Sequence, residues 1–211
     1  DLRVELRSRV ATNQIAPFAV LVLLLFGFAL DPDRGVLERA TPGLLWVAVL
    51  LSGLLAISRS TALDESDGVR DALRLSGLDP SGLFLGKVVA TSVVLLALEV
   101  LLVFGVAVLY GAALEGFGLL VATCLAATAA VAAAGTLYGA LAGGSRARDT
   151  LLPVLLLPVL TPVLIGATRA FETALGTTTD NGWAWCGLVA GFALVHLVAG
   201  SLAYGALLED S

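Results

Sequence analysis

Six apolar runs, separated by short charged or turn-forming stretches, divide the chain at about 15–30, 41–57, 88–113, 117–141, 150–171 and 183–208. A helix needs roughly 20 apolar residues to cross a hydrocarbon core, and these runs reach or approach that length. They predict an all-α integral membrane protein with six transmembrane helices in a single domain spanning residues 1–211. Asp31, Pro32, Asp33 and Gly35 are expected to end the first run, which is entered through Pro17. Pro42 suits the first turn of the second helix, and Trp46 is expected close to a membrane interface, where indoles are enriched. Lys87 is expected to open the third span and Tyr110 to lie near its far end. The turn at Glu115 and Gly116 is so short that spans three and four must form an antiparallel hairpin.

The longest polar interruption, residues 58–87, carries nine of the 29 charged residues and is the one long water-facing segment. Within it, Asp67, Gly68, Val69, Arg70, Asp71, Ala72, Leu73, Arg74, Leu75 and Ser76 read as a short amphipathic helix. Val69, Ala72, Leu73 and Ser76 fall on one face, and Arg70, Asp71 and Arg74 on the other. Gly77, Asp79, Pro80 and Gly82 are expected to stop it. Residues 1–10 place Leu2, Leu6 and Val10 opposite Arg3 and Arg7, the pattern of a helix lying in the membrane interface; a basic flank retaining the N-terminus is the compatible alternative.

The fourth span is rich in Ala, Gly and Thr, which permits close helix packing in a bilayer. The fifth contains Pro153, Pro158 and Pro162 and is expected to be kinked or broken, since each proline removes a backbone donor. Discontinuous helices often line transport paths, so these prolines are candidate gating residues; a static kink is the equal alternative. Trp183 and Trp185 are expected at the outer membrane boundary.

Composition agrees with the pattern. Charged residues make up 14% of the chain, against about 25% in a globular domain, and the mean hydropathy is +0.97. A net charge of -5 argues against nucleic acid as a partner. Lys and Arg distribution sets orientation: nine fall on the side of the N-terminus and the 58–87 loop, and three, Arg34, Arg39 and Arg169, on the other. Both termini are therefore expected in the cytoplasm, in a multi-pass protein of the cytoplasmic (inner) membrane. The absence of Met implies that the chain begins after its initiator, and no cleavable signal is expected. Cys124 and Cys186 lack CxxC or Cys/His spacing and are expected to be buried packing residues, with no metal site.

Glu99 is the one charged residue deep within a span, where ionisable groups are costly and face a bundle interior, a cavity or a partner. Its readings are a protonated or hydrogen-bonded packing group, a subunit contact, or substrate handling. His196, the single histidine, lies within the sixth span and reads as a helix–helix hydrogen-bonding residue before an axial haem ligand. No P-loop, HExxH or GxSxG occurs, so no catalytic residue is assigned and ATP work must come from a separate subunit.

The outline resembles the permease subunits of ABC-2-type exporters. Residues 42–59 (PGLLWVAVLLSGLLAISR), 64–77 (DESDGVRDALRLSG) and 157–167 (LPVLTPVLIGA) together resemble the haem exporter protein B (CcmB) family, permeases of cytochrome c maturation. Departures occur at Val69, Arg70 and Asp71, where the family more often has Thr-Leu-Glu, and at Ser76 and Gly77, where it has Ser-Pro. The resemblance implies a CcmA-like ATPase that binds ATP and docks on the 67–76 helix. It also implies a CcmC-like haem-handling membrane subunit and a haem chaperone. Haem enters as substrate, with no cofactor assigned to this chain. Six spans are half of a usual ABC membrane domain, so a homodimer or a pairing with another membrane subunit is expected within the membrane lipid. The alternatives are an assembly subunit that transports nothing and an ABC-2 exporter of a lipid or drug.

Overall fold

The computed structural model describes residues 16–30, 34–64, 79–112, 114–142 and 148–210. Within them lie six α-helices: α1 Ala16–Leu30, α2 Arg34–Asp64, α3 Pro80–Leu109, α4 Phe117–Ala142, α5 Arg148–Ala174 and α6 Gly182–Asp210. The stretches 1–10 and 67–76, expected to form interfacial and loop helices, lie outside the described residues.

Five helices, α2 to α6, are long and apolar enough to cross a membrane. The first run, expected at about 15–30, is α1, the shortest of the described helices, with 15 described residues, or about 22 Å of helix against a core about 30 Å thick. It packs mainly on α2 and α3 and fully buries just Ala19 and Leu23. Its middle is tied down by the Tyr110 hydroxyl, which donates to the Leu23 carbonyl at 2.6 Å.

The chain places α4 at the centre, touching α2, α3, α5 and α6. Its small side chains make this possible, because Ala130, Ala132, Ala133 and Ala134 are fully buried and let neighbouring backbones approach. Gly135 of α4 faces Ile57 of α2 so closely that a Cβ would collide with it. At one end of the bundle, Gly27, Tyr110, Gly116, Ala174 and Gly182 meet; at the other, Pro80, Phe84, Gly200 and Gly205 do. Consecutive helices thus alternate in direction. The first of these is called here the hairpin end, because it holds the tight connection between α3 and α4.

Two helix starts differ from expectation. Although Pro42 was expected in a first turn, α2 begins at Arg34 and Pro42 lies inside it. The missing donor frees only the Glu38 carbonyl, near the helix end, so the preceding residues continue the helix. The third helix, expected to open at Lys87, instead starts at Pro80, with Asp79, Pro80 and Gly82 at its first turn; the end of the 67–76 helix, which these residues were expected to stop, lies outside the described residues. Asp79 is extended at the N-cap, accepts from the Gly82 N–H at 3.2 Å and from the Ser81 hydroxyl, and Pro80 follows in the first turn.

Those two hydrogen bonds, the Ser81 contribution first, hold the Asp79 carboxyl below its ordinary pKa. A depressed pKa makes the cap's contribution complete above the unfolded value of about 3.9 and lost as pH falls through the folded value. Asp79→Ala should lower the thermal midpoint at neutral pH, whereas Asp79→Asn keeps the cap and removes its acid sensitivity. Melting both variants and wild type at neutral and acidic pH checks this; equal acid sensitivity of wild type and the Asn variant would refute it.

Instead of breaking, α5 runs continuously through all three prolines. Leu152, Leu156, Leu160, Val163, Ala167, Ala170 and Ala174 form one buried seam along it, and this packing holds the helix together. Pro158 and Pro162 lie on the opposite, exposed face, so their rings intrude on no neighbour. The Thr161 hydroxyl donates to the Leu157 carbonyl at 3.0 Å between them. At its end, Gly176 takes φ +71°, and its N–H donates to the Thr173 carbonyl, a left-handed glycine closure.

Candidate functional site

The buried polar side chains of the described bundle are few: Thr41, Ser52, Glu99, Thr123 and Thr128. Glu99 is the one charged residue among them, only 1% exposed. It lies ten residues from the end of α3, about 15 Å along the helix axis. Its side chain points to α4, where the Thr128 hydroxyl donates to Oε1 at 2.7 Å. The Cys124 thiol, one turn earlier on α4, sits beside the same carboxyl. Oε2 has no hydrogen-bond partner among the described residues. Cys124 and Thr128 are four residues apart and so share a helix face, a spacing readable in the sequence. That they meet Glu99 was not readable, because nothing local fixes the register of α3 against α4.

His196 is placed apart from that cluster. Its Nδ1 lies 3.0 Å from the Phe192 carbonyl of its own helix, which makes Nδ1–H the donor and leaves Nε2 on the other side of the ring. The imidazole stacks on Phe192 at 4.2 Å and tilts toward Tyr138 of α4 at 6.4 Å. The hydrogen bond is thus intrahelical, in place of the expected helix–helix bond, and the contact across helices is aromatic.

Both cysteines are buried and free, as expected of packing residues. Trp46 is buried against Phe171 in an edge-to-face contact at 5.1 Å. Trp183 is 60% exposed at the first turn of α6, where Asn181 Oδ1 accepts from the Ala184 N–H. The three prolines do not converge on Glu99 or His196; Pro153 is half-buried and the other two face outward. A cleft of about 370 Å³ at the hairpin end is lined by Glu38, Arg39, Thr41, Tyr110, Gly176 and neighbouring residues, and the sequence alone did not single it out.

The chain matches the family described as CcmB protein over residues 1–211. The heme exporter protein B of Paracoccus denitrificans is 34% identical over 179 residues, covering 81% of this chain and 78% of that protein. The heme exporter protein B of Haemophilus influenzae is 33% identical over 175 residues, covering 82% and 79%. That of Bradyrhizobium diazoefficiens is 29% identical over 213 residues, covering 99% and 94%. A match to the whole length, joined to a helical bundle with five long apolar helices and a shorter first one, shows that this chain belongs to the CcmB family.

Proposed function

We propose that this chain is the membrane permease subunit of an ABC-type complex that exports or delivers haem for cytochrome c maturation. The observation that carries the reading is the family match over residues 1–211, joined to relatives named heme exporter protein B. In this reading residues 1–211 form one ABC-2-type domain with six spans. The bundle end opposite the hairpin end is cytoplasmic, as are both termini, in accord with the Lys and Arg distribution. Hydrolysis of ATP belongs to a separate CcmA-like ATPase, and a CcmC-like membrane subunit and a haem chaperone handle haem. A second copy or another membrane subunit completes the membrane half.

Residues 67–76 join α2 to α3 and provide the docking helix. Closure of the ATPase would push that helix and tilt α2 and α3, which pack on each other and on α4. Within the bundle, α5 is the helix most able to bend, since three prolines remove three of its backbone donors. The test is a mild-detergent pull-down of the tagged chain with and without Leu73→Glu. Wild type should bring down an ATPase and haem-maturation proteins, and the variant should lose the ATPase at least tenfold, the equivalent of about 1.4 kcal/mol. Absence of any ATPase from the wild-type complex would sink the reading.

A second reading, an assembly subunit that transmits ATPase motion to the haem-handling partner and moves nothing itself, is favoured by one feature. The described bundle interior carries five buried polar residues, little for passing an anionic macrocycle. Haem bound to the isolated subunit in nanodiscs would favour transport; haem bound only when the partner is present would favour transmission. An exporter of lipid or drug would show substrate binding with neither haem nor maturation proteins.

A further inference from the structure

We propose that Glu99 is a stably protonated carboxylic acid that clasps α3 to α4, with Oε1 accepting the Thr128 hydroxyl and Oε2 carrying the proton. Three observations carry it. The side chain is 1% exposed near the middle of a span, only Oε1 is hydrogen-bonded by a described residue, and Oε2 is buried without a partner among those residues. An ionised carboxylate with a single hydrogen bond is the costly case in lipid, and neutralisation is the usual resolution.

Among the described side chains, no cationic group faces the carboxyl from the helices packed on α3. The 15 described residues of α1 contain no titratable side chain. On α2, Glu38 and Arg39 stand at the hairpin end beside Tyr110, beyond the turns that meet Leu95 of α3. On α6, His196 is engaged with Phe192 and Tyr138. From α4, Cys124 and Thr128 alone reach Glu99, and neither brings a positive charge. A neutral clasp has a mechanical consequence: it can open and re-form as α3 shifts against α4 without baring an ion to lipid.

The test uses the full chain in phospholipid nanodiscs and infrared spectroscopy of the carboxylic C=O stretch. Wild type should show a buried protonated-acid band that persists between about pH 5 and 8, above the ordinary carboxyl range near 4.3. Glu99→Gln should lose that band, and Thr128→Val should shift it by removing the hydrogen bond to Oε1. Thr128→Ser should restore the wild-type position, which a merely structural role for the side chain would not require. A wild-type spectrum without the band at neutral pH, or a band that titrates away within that range, overturns the proposal. A band unmoved by Thr128→Val overturns the clasp. If Glu99→Gln fails to fold, the two Thr128 variants and the pH series on wild type still decide the question.

Discussion

Gly116→Val is expected to destabilise the folded bundle by about 2–3 kcal/mol, the range of strained overpacking. Gly116 opens the turn into α4, and its N–H donates to the Ala174 carbonyl at the end of α5 over 2.8 Å. A Cβ there would stand 2.8 Å from the Ala174 Cα and 3.2 Å from its carbonyl oxygen. The obstacle is backbone, not the flexible tip of a side chain, so relief requires α4 and α5 to separate where they are hydrogen-bonded. That end of α5 is also pinned by Gly176, whose left-handed turn lies against the Glu115 carboxylate. Displacing Ala174 therefore disturbs two contacts between the same pair of helix ends. Gly118→Val is the control, because a Cβ at Gly118 meets nothing within 4 Å, and its effect should stay within about 0.5 kcal/mol. Thermal unfolding of both variants in nanodiscs separates them; equal midpoints would show that the approach of Gly116 to α5 does not matter to stability.

Phe84→Ala should cost about 3 kcal/mol, and the loss should be partly recovered by a second change at Gly200. Phe84 of α3 is fully buried, its ring covers Gly200 of α6, and it meets the Tyr204 ring at 5.5 Å. Truncation leaves a cavity between α3, α4 and α6, because Val88, Ala132, Ala133 and Leu137 are packed in the same cluster. In a bilayer the transfer of the ring from water contributes little to helix association, so the loss is one of dispersion contacts across the cavity. Gly200→Leu alone should also destabilise, by about 1–3 kcal/mol, since any Cβ there collides with the Phe84 ring. In the double variant the leucine enters the space the ring vacates, and the two costs should fall short of additivity by about 1 kcal/mol or more. Strict additivity across the four proteins would show that the two residues do not share one packed volume.

The features that follow from residue type and spacing were legible in the chain. Long apolar runs dictate helices in a membrane because lipid leaves backbone groups no other partner. The small residues of α4 marked a helix others could approach, and the structure puts it at the centre. The short turn at Glu115 and Gly116 required α3 and α4 to lie antiparallel, as they do. Composition around Cys124 and Cys186 was enough to expect buried thiols.

What depended on contacts between distant segments was not legible. Asp79, Pro80 and Gly82 have the chemistry of both a helix stop and a helix start, and only the backbone of α3 shows that they start it, well before Lys87. Three prolines predicted a kinked or broken segment, and α5 is continuous through them, its buried seam from Leu152 to Ala174 being a packing contribution that local propensity does not contain. Trp46 has the composition of an interfacial residue and becomes buried because Phe171, 125 positions away, comes to lie across it. The sequence by itself determined the membrane class, the helical content and the single acid within a span. The tertiary structure decided which helix face that acid meets, because the register between two helices is set by side-chain fit along their whole contact and not by the residues near Glu99.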